Sequence, residues 1–234
     1  MNPHDASYSQ YSVSSREEFI TKTYMHLFGA VVAFMLTSMV FYQVGLGEKF
    51  YNMIAGSGSR YAWLAVLGGF AIVSCVAFNM AESFKTKTSQ YAGLGIYVLA
   101  EALIFSPMIF LAASQYVGVI YQASLITITA FLGLTAIAFI TRKDFSFLKG
   151  IMMYACILAV VLILASVIFG FTLGIWFSFA MVLIMGGVIL YSTSDIIHNY
   201  DEDQYVTASL ALFSSLATLF WYVLQIVMHF ASDD

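Results

Sequence analysis

The stretch Leu148–Phe171, LKGIMMYACILAVVLILASVIFGF, carries Lys149 at its edge and then twenty-two residues without a further charge. A helix of that length rises about 30 Å, the thickness of the hydrocarbon core of a bilayer. Six further stretches of the same kind surround it: Tyr24–Leu46, Tyr61–Met80, Tyr91–Ala113, Tyr116–Ile140, Leu173–Ile197 and Thr207–Ala231. In lipid every backbone N–H and C=O must be satisfied within the element, so continuous apolar runs read as helices. A transmembrane barrel would instead show alternating segments of about ten residues. The predicted fold is an all-α integral membrane protein with seven transmembrane helices.

The composition agrees. Of 234 residues, 61% are hydrophobic and 9% charged, with 17% aromatic and a mean hydropathy of +0.88. Soluble domains run to about 25% charged residues. Thirteen acids against nine Lys and Arg give a net charge of -4, which offers nucleic acid no basic footprint. Cys75 and Cys156 both lie inside apolar runs, away from any CxxC or Cys/His cluster, and read as small buried hydrophobes. Residues 1–23 are polar and lack the basic start and immediate apolar core of a signal peptide. They read as a mobile cytosolic tail, 24–231 as the seven-helix domain, and 232–234 as a short acidic end. With the N-terminus inside, Arg16, Lys22, Lys85, Lys87, Arg142, Lys143 and Lys149 are cytosolic and only Lys49 and Arg60 are outside. That asymmetry predicts a cytosolic N-terminus and an external C-terminus. The glycine pairs Gly68-Gly69 and Gly186-Gly187 are predicted to let neighbouring helices approach closely.

Ionisable and polar groups inside the spans carry the functional reading, because an acid at mid-bilayer costs at least about 2.5 kcal/mol. Glu101 lies near the middle of the third span, with Tyr97 one turn before it and Pro107 beyond. Desolvation there favours the neutral acid, bonded to a polar group near Thr218 or Tyr97. Glu101 is either part of an ion path or a structural acid between helices. Pro107 cannot donate an N–H and is predicted to disturb the helix around Leu103. In the seventh span Ser215, Thr218, Tyr222, Gln225 and His229 recur at steps of 3, 4, 3 and 4, which places them on one helix face. That stripe serves as interhelical hydrogen bonding or lines a polar cavity, and in either case it turns the last helix inward. Ser192, Asp195 and Asn199 share a face of the sixth span near its cytosolic end. Asp195 is either an interfacial acid or a member of an inner cluster with Ser192 and Ser215. The short run Asp201-Glu202-Asp203 reads as a solvated turn. All six lysines lie outside the spans or at their ends, and no HExxH, phosphate loop or dinucleotide fingerprint occurs. Nothing calls for a cofactor or a metal, and the chain reads as non-enzymatic.

Three runs carry a resemblance. Thr141-Arg142-Lys143-Asp144-Phe145-Ser146-Phe147-Leu148-Lys149-Gly150, Gly187 to His198 (GVILYSTSDIIH), and Tyr205-Val206 with Ala208-Ser209-Leu210 resemble the Bax inhibitor-1/YccA family. Glu101, in Ala100-Glu101-Ala102, is similar to the third-helix acid of several members. The resemblance runs from the first span to the last, is densest over 139–230, and points to the bacterial YccA branch. It implies a seven-helix fold with the last helix central, in a bacterial inner membrane. It implies one of two activities: modulation of the membrane-anchored AAA protease FtsH by protein binding, or a leak of Ca²⁺ or H⁺. Many members pair two aspartates as a pH-sensitive latch. The matching positions here are Ser192 and Ser215, neither of them acidic, with Asp195 one turn from Ser192.

Overall fold

The structure, a computed structural model, describes the backbone of residues 3–59, 61–83 and 86–233 and the side chains of 15–59, 61–82 and 86–232. Among the described residues it holds eight helices and no strand. The helices are α1 (Pro3–Gln43), α2 (Leu46–Gly56), α3 (Ala62–Ser83), α4 (Lys87–Gln115), α5 (Val119–Thr141), α6 (Phe147–Phe169), α7 (Gly174–His198) and α8 (Tyr205–Asp233). All but α2 are long and apolar enough to cross a membrane, one for each predicted span. Among the last six, the largest shift of an end is four residues, Lys87 against the predicted Tyr91.

The last helix is central, as the polar stripe and the resemblance implied. α8 packs on α1, α3, α4, α5 and α7, and its Leu210, Leu212, Leu219 and Leu224 are fully buried. α4 is the second core element, packed on α1, α2, α3 and α8. α6 is peripheral: it packs on α7 and buries only Ala159. Apolar side chains such as Ile72, Tyr154 and Leu183 point away from the protein, at 68%, 68% and 78% exposure. A water-facing surface would not tolerate so many, whereas hydrocarbon solvates them at no cost.

Three local features depart from the sequence reading. The first is the N-terminal segment. Residues 15–23, predicted as part of a mobile tail, are helical and docked, with Phe19 and Thr23 buried. The Arg16 guanidinium donates to the carbonyls of Ile196, Ile197 and Tyr200, at 2.6 Å and 3.1 Å for the first two. Helix ends leave their last carbonyls without intrahelical partners, and here one guanidinium satisfies the end of α7. Ser15 Oγ adds a 2.6 Å bond to Glu202. Residues 1–14 of the predicted tail lie outside the residues described with side chains.

The second is α2, which lies between the first two predicted spans in a stretch to which the sequence reading assigned no element. Gly45, at φ +70°, turns the chain out of α1. Gly47 then sits so close to α4 that an added Cβ would lie 2.5 Å from the Ser106 carbonyl oxygen. Tyr51 of α2 meets Phe110 of α4 with ring centroids 6.0 Å apart.

The third concerns the glycines. Gly68 and Gly69 face open space. Gly187 meets the flexible side chain of Met152, and Gly186 makes ordinary contact with Leu134. The tight helix crossing is at Gly93 instead, where a Cβ would stand 2.6 Å from Ala77 O of α3.

Pro107 leaves the Leu103 carbonyl without its usual donor, yet α4 runs unbroken from Lys87 to Gln115. Ser106 Oγ donates to Leu103 O at 2.7 Å and replaces the missing N–H. At the C-terminal end of α3, Thr207 Oγ1 of α8 donates to Ala81 O at 2.7 Å, tying α8 to the last turn of α3.

Candidate functional site

A cavity of about 670 Å³ occupies the half of the bundle remote from the N-terminus. α3 contributes Trp63, Leu67 and Phe70, and α4 contributes Glu101, Ile104 and Phe105. α6 and the start of α7 close the opposite side, and α8 supplies Thr218, Trp221, Tyr222, Gln225 and His229. Four of the five stripe residues of the seventh span therefore line one cavity together with the acid of the third span. The face changes along its length: Tyr222 is buried, Thr218 and Gln225 are half-buried and His229 is exposed.

Each polar group is held by its neighbours. Glu101 is 4% exposed, and the Tyr97 phenol lies against it and against Ser214. Thr218 Oγ1 bonds back to Ser214 O at 2.9 Å. Ser178 Oγ of α7 donates to Gln225 Oε1 at 2.9 Å and so fixes the α7–α8 wall. Phe177 meets Tyr222 edge to face at 5.9 Å. Trp63 and Trp221 stack at 6.2 Å with planes 19° apart, and Phe105 meets Trp221 edge to face at 4.9 Å. The carboxyl group thus sits deep in an aromatic-walled chamber. Among the described residues, neither Lys nor Arg lines it.

Ser192, Ser215 and Asp195 are not part of this chamber. Ser215 is buried and bonds back to Ala211 O at 2.9 Å, and among the described residues no hydrogen bond joins it to Ser192. Asp195, near the end of α7, accepts from Tyr191 Oη of its own helix at 3.3 Å and from Nδ2 of Asn199, just past the helix end, at 2.7 Å. It lies near Tyr200 in the α7–α8 turn, whose phenol burial pushes up to about 12, with Asp195 and Glu82 adding to the shift. Among the described residues no group of three His, Cys, Asp or Glu is placed to hold a metal ion.

The sequence reading missed the aromatic wall. Trp63, Phe105 and Trp221 are apolar residues inside spans, where facing lipid and facing a cavity look alike in a single sequence. Ser178 gave the one available signal, a polar residue in the first turns of a span.

Comparison with known proteins agrees with this architecture. The profile of the family described as inhibitor of apoptosis-promoting Bax1 matches residues 16–232, from the Arg16 clamp to the end of α8. Bax inhibitor 1 of Schizosaccharomyces pombe is 28% identical over 228 residues, covering 94% of this chain and 80% of that protein. The modulator of FtsH protease YccA of Escherichia coli K12 is 28% identical over 239 residues, covering 98% and 97% of the two chains. A Golgi anti-apoptotic protein of vaccinia virus is 26% identical over 224 residues, covering 95% and 90%. With seven helices long and apolar enough to cross a membrane and a family profile matched over residues 16–232, the chain belongs to the Bax inhibitor-1 family of membrane proteins.

Proposed function

We propose that this chain modulates a membrane-anchored AAA protease of the FtsH type by binding it within the membrane, and does no chemistry of its own. The observation that carries this is the end-to-end match to a protein named as a modulator of FtsH protease. The asymmetry of the basic residues supports a cytosolic N-terminus and an external C-terminus, and the likeness to an Escherichia coli inner membrane protein supports a bacterial inner membrane. The polar residues 2–14 are the handle by which such a protease takes hold of the chain. Residues from Arg16 on are tied to the end of α7, so the handle ends there. Deleting residues 2–14 is expected to leave the bundle folded and to slow turnover by the protease several-fold in pulse-chase. Unchanged turnover contradicts the handle.

A second reading, a leak of Ca²⁺ or H⁺, draws on the chamber and on Glu101 at its depth. Against it, the chamber's lining includes none of Ser192, Ser215 and Asp195. Ion flux into liposomes, equal for wild type and Glu101→Gln, excludes a path through this acid.

A further inference from the structure

We propose that the chamber is a binding site for a small organic cation, a primary or quaternary ammonium. Three observations lead there. Its volume of about 670 Å³ lies inside the range of small-molecule sites. Its wall is aromatic: Trp63, Phe70, Phe105, Phe177, Trp221 and Tyr222 all line it. Ring faces attract an ammonium through their quadrupole, more strongly when water is excluded. Its depth holds one carboxyl group, Glu101, with neither Lys nor Arg among the described lining residues. An ammonium entering the chamber supplies the opposite charge that a buried carboxylate requires.

The competing occupants match less well. Ca²⁺ and Mg²⁺ take six or more oxygen ligands, which one acid amid rings does not provide, and among the described residues no group of three His, Cys, Asp or Glu could hold a transition metal. A lipid tail gains nothing from Glu101, Ser178, Thr218 or Gln225. An anion meets a carboxyl group and the faces of rings, both unfavourable. The site is independent of any protease and stands or falls separately from that reading.

The test uses the full chain in phosphatidylcholine nanodiscs, carrying Trp176→Phe. Of the three tryptophans Trp176 is 81% exposed, so its removal leaves Trp63 and Trp221 as reporters inside the chamber. The probes are n-butylammonium, tetramethylammonium and the uncharged n-butanol. Both ammonium ions are expected to change tryptophan emission saturably, and n-butanol is not. Glu101→Gln, which keeps the shape of the side chain, is expected to weaken binding at least about tenfold. Trp63→Leu is expected to weaken it similarly, read from the remaining Trp221, and serves if Glu101→Gln does not fold. No saturable response to either ammonium ion overturns the proposal. So does equal affinity for n-butanol, or affinity unchanged in both variants.

Discussion

Gly93→Val is expected to abolish the native α3–α4 crossing and with it most of the folded protein. At Gly93 the added Cβ would stand 2.6 Å from Ala77 O, 3.2 Å from Ala81 N and 3.3 Å from Met80 Cβ. Two of those atoms are backbone, so no rotamer change relieves the clash, and α3 must move away from α4. Overpacking a core costs about 1–3 kcal/mol where side chains can yield, and more where the neighbour is a helix backbone. α3 carries Trp63, Leu67 and Phe70 of the chamber, so the same shift opens its wall. Gly95, two residues on, has nothing within 4 Å of its Cβ direction and serves as the control. Gly95→Ala is expected to be neutral or stabilising by up to about 1 kcal/mol, the helix-propensity gain. Size-exclusion after a temperature series in detergent separates the two. Gly93→Ala surviving as well as Gly95→Ala contradicts the crossing.

Arg16→Ala is expected to release the N-terminal turns of α1 and to fray the end of α7. The substitution leaves the Ile196, Ile197 and Tyr200 carbonyls without their donor. Hydrogen bonds from a charged donor contribute about 1.5–3 kcal/mol each where partly buried, and they act here as a unit. A loss of roughly 2 kcal/mol or more is expected, and the Ser15–Glu202 bond goes with it. Arg16→Lys is expected to recover only part, because one ammonium does not reproduce the fork that reaches three carbonyls. Hydrogen exchange reads the effect locally, as faster exchange at residues 15–23 and 196–204. Protection unchanged in Arg16→Ala would show that packing of Phe19 alone holds the segment.

The spans were legible because the bilayer enforces length and apolarity together, and seven runs met both conditions. α2 was not, since its eleven residues include Glu48 and Lys49 and only its placement on α4 makes it structural. The extension of α1 was masked by Arg16, Glu17, Glu18 and Lys22, which read as solvent-facing. A signal was nonetheless present: Phe19, Thr23, Leu27, Ala30, Phe34 and Ser38 recur at helical spacing and all are buried. Glu17, Glu18 and Lys22 lie on the other faces of the same helix, whereas Arg16, three residues before Phe19, shares the buried face. In the site, Glu101 and the stripe from Thr218 to His229 announced themselves by the cost of placing them in lipid. Ser215 shares the stripe but turns its hydroxyl back to its own helix. The aromatic wall had no such cost and became visible only when α3 and α4 were placed against α8.

Co-reconstitution tests the central claim most directly. An FtsH-type protease in proteoliposomes is supplied with ATP and a second membrane-protein substrate, and the rate of that substrate's degradation is followed as this chain is added. The binding account predicts a saturable fall in rate at near-equimolar chain, retained when residues 2–14 are deleted, because the deleted form still binds without being consumed. A rate unaffected by the chain at several-fold excess over the protease, with both shown to be inserted and folded, would contradict it.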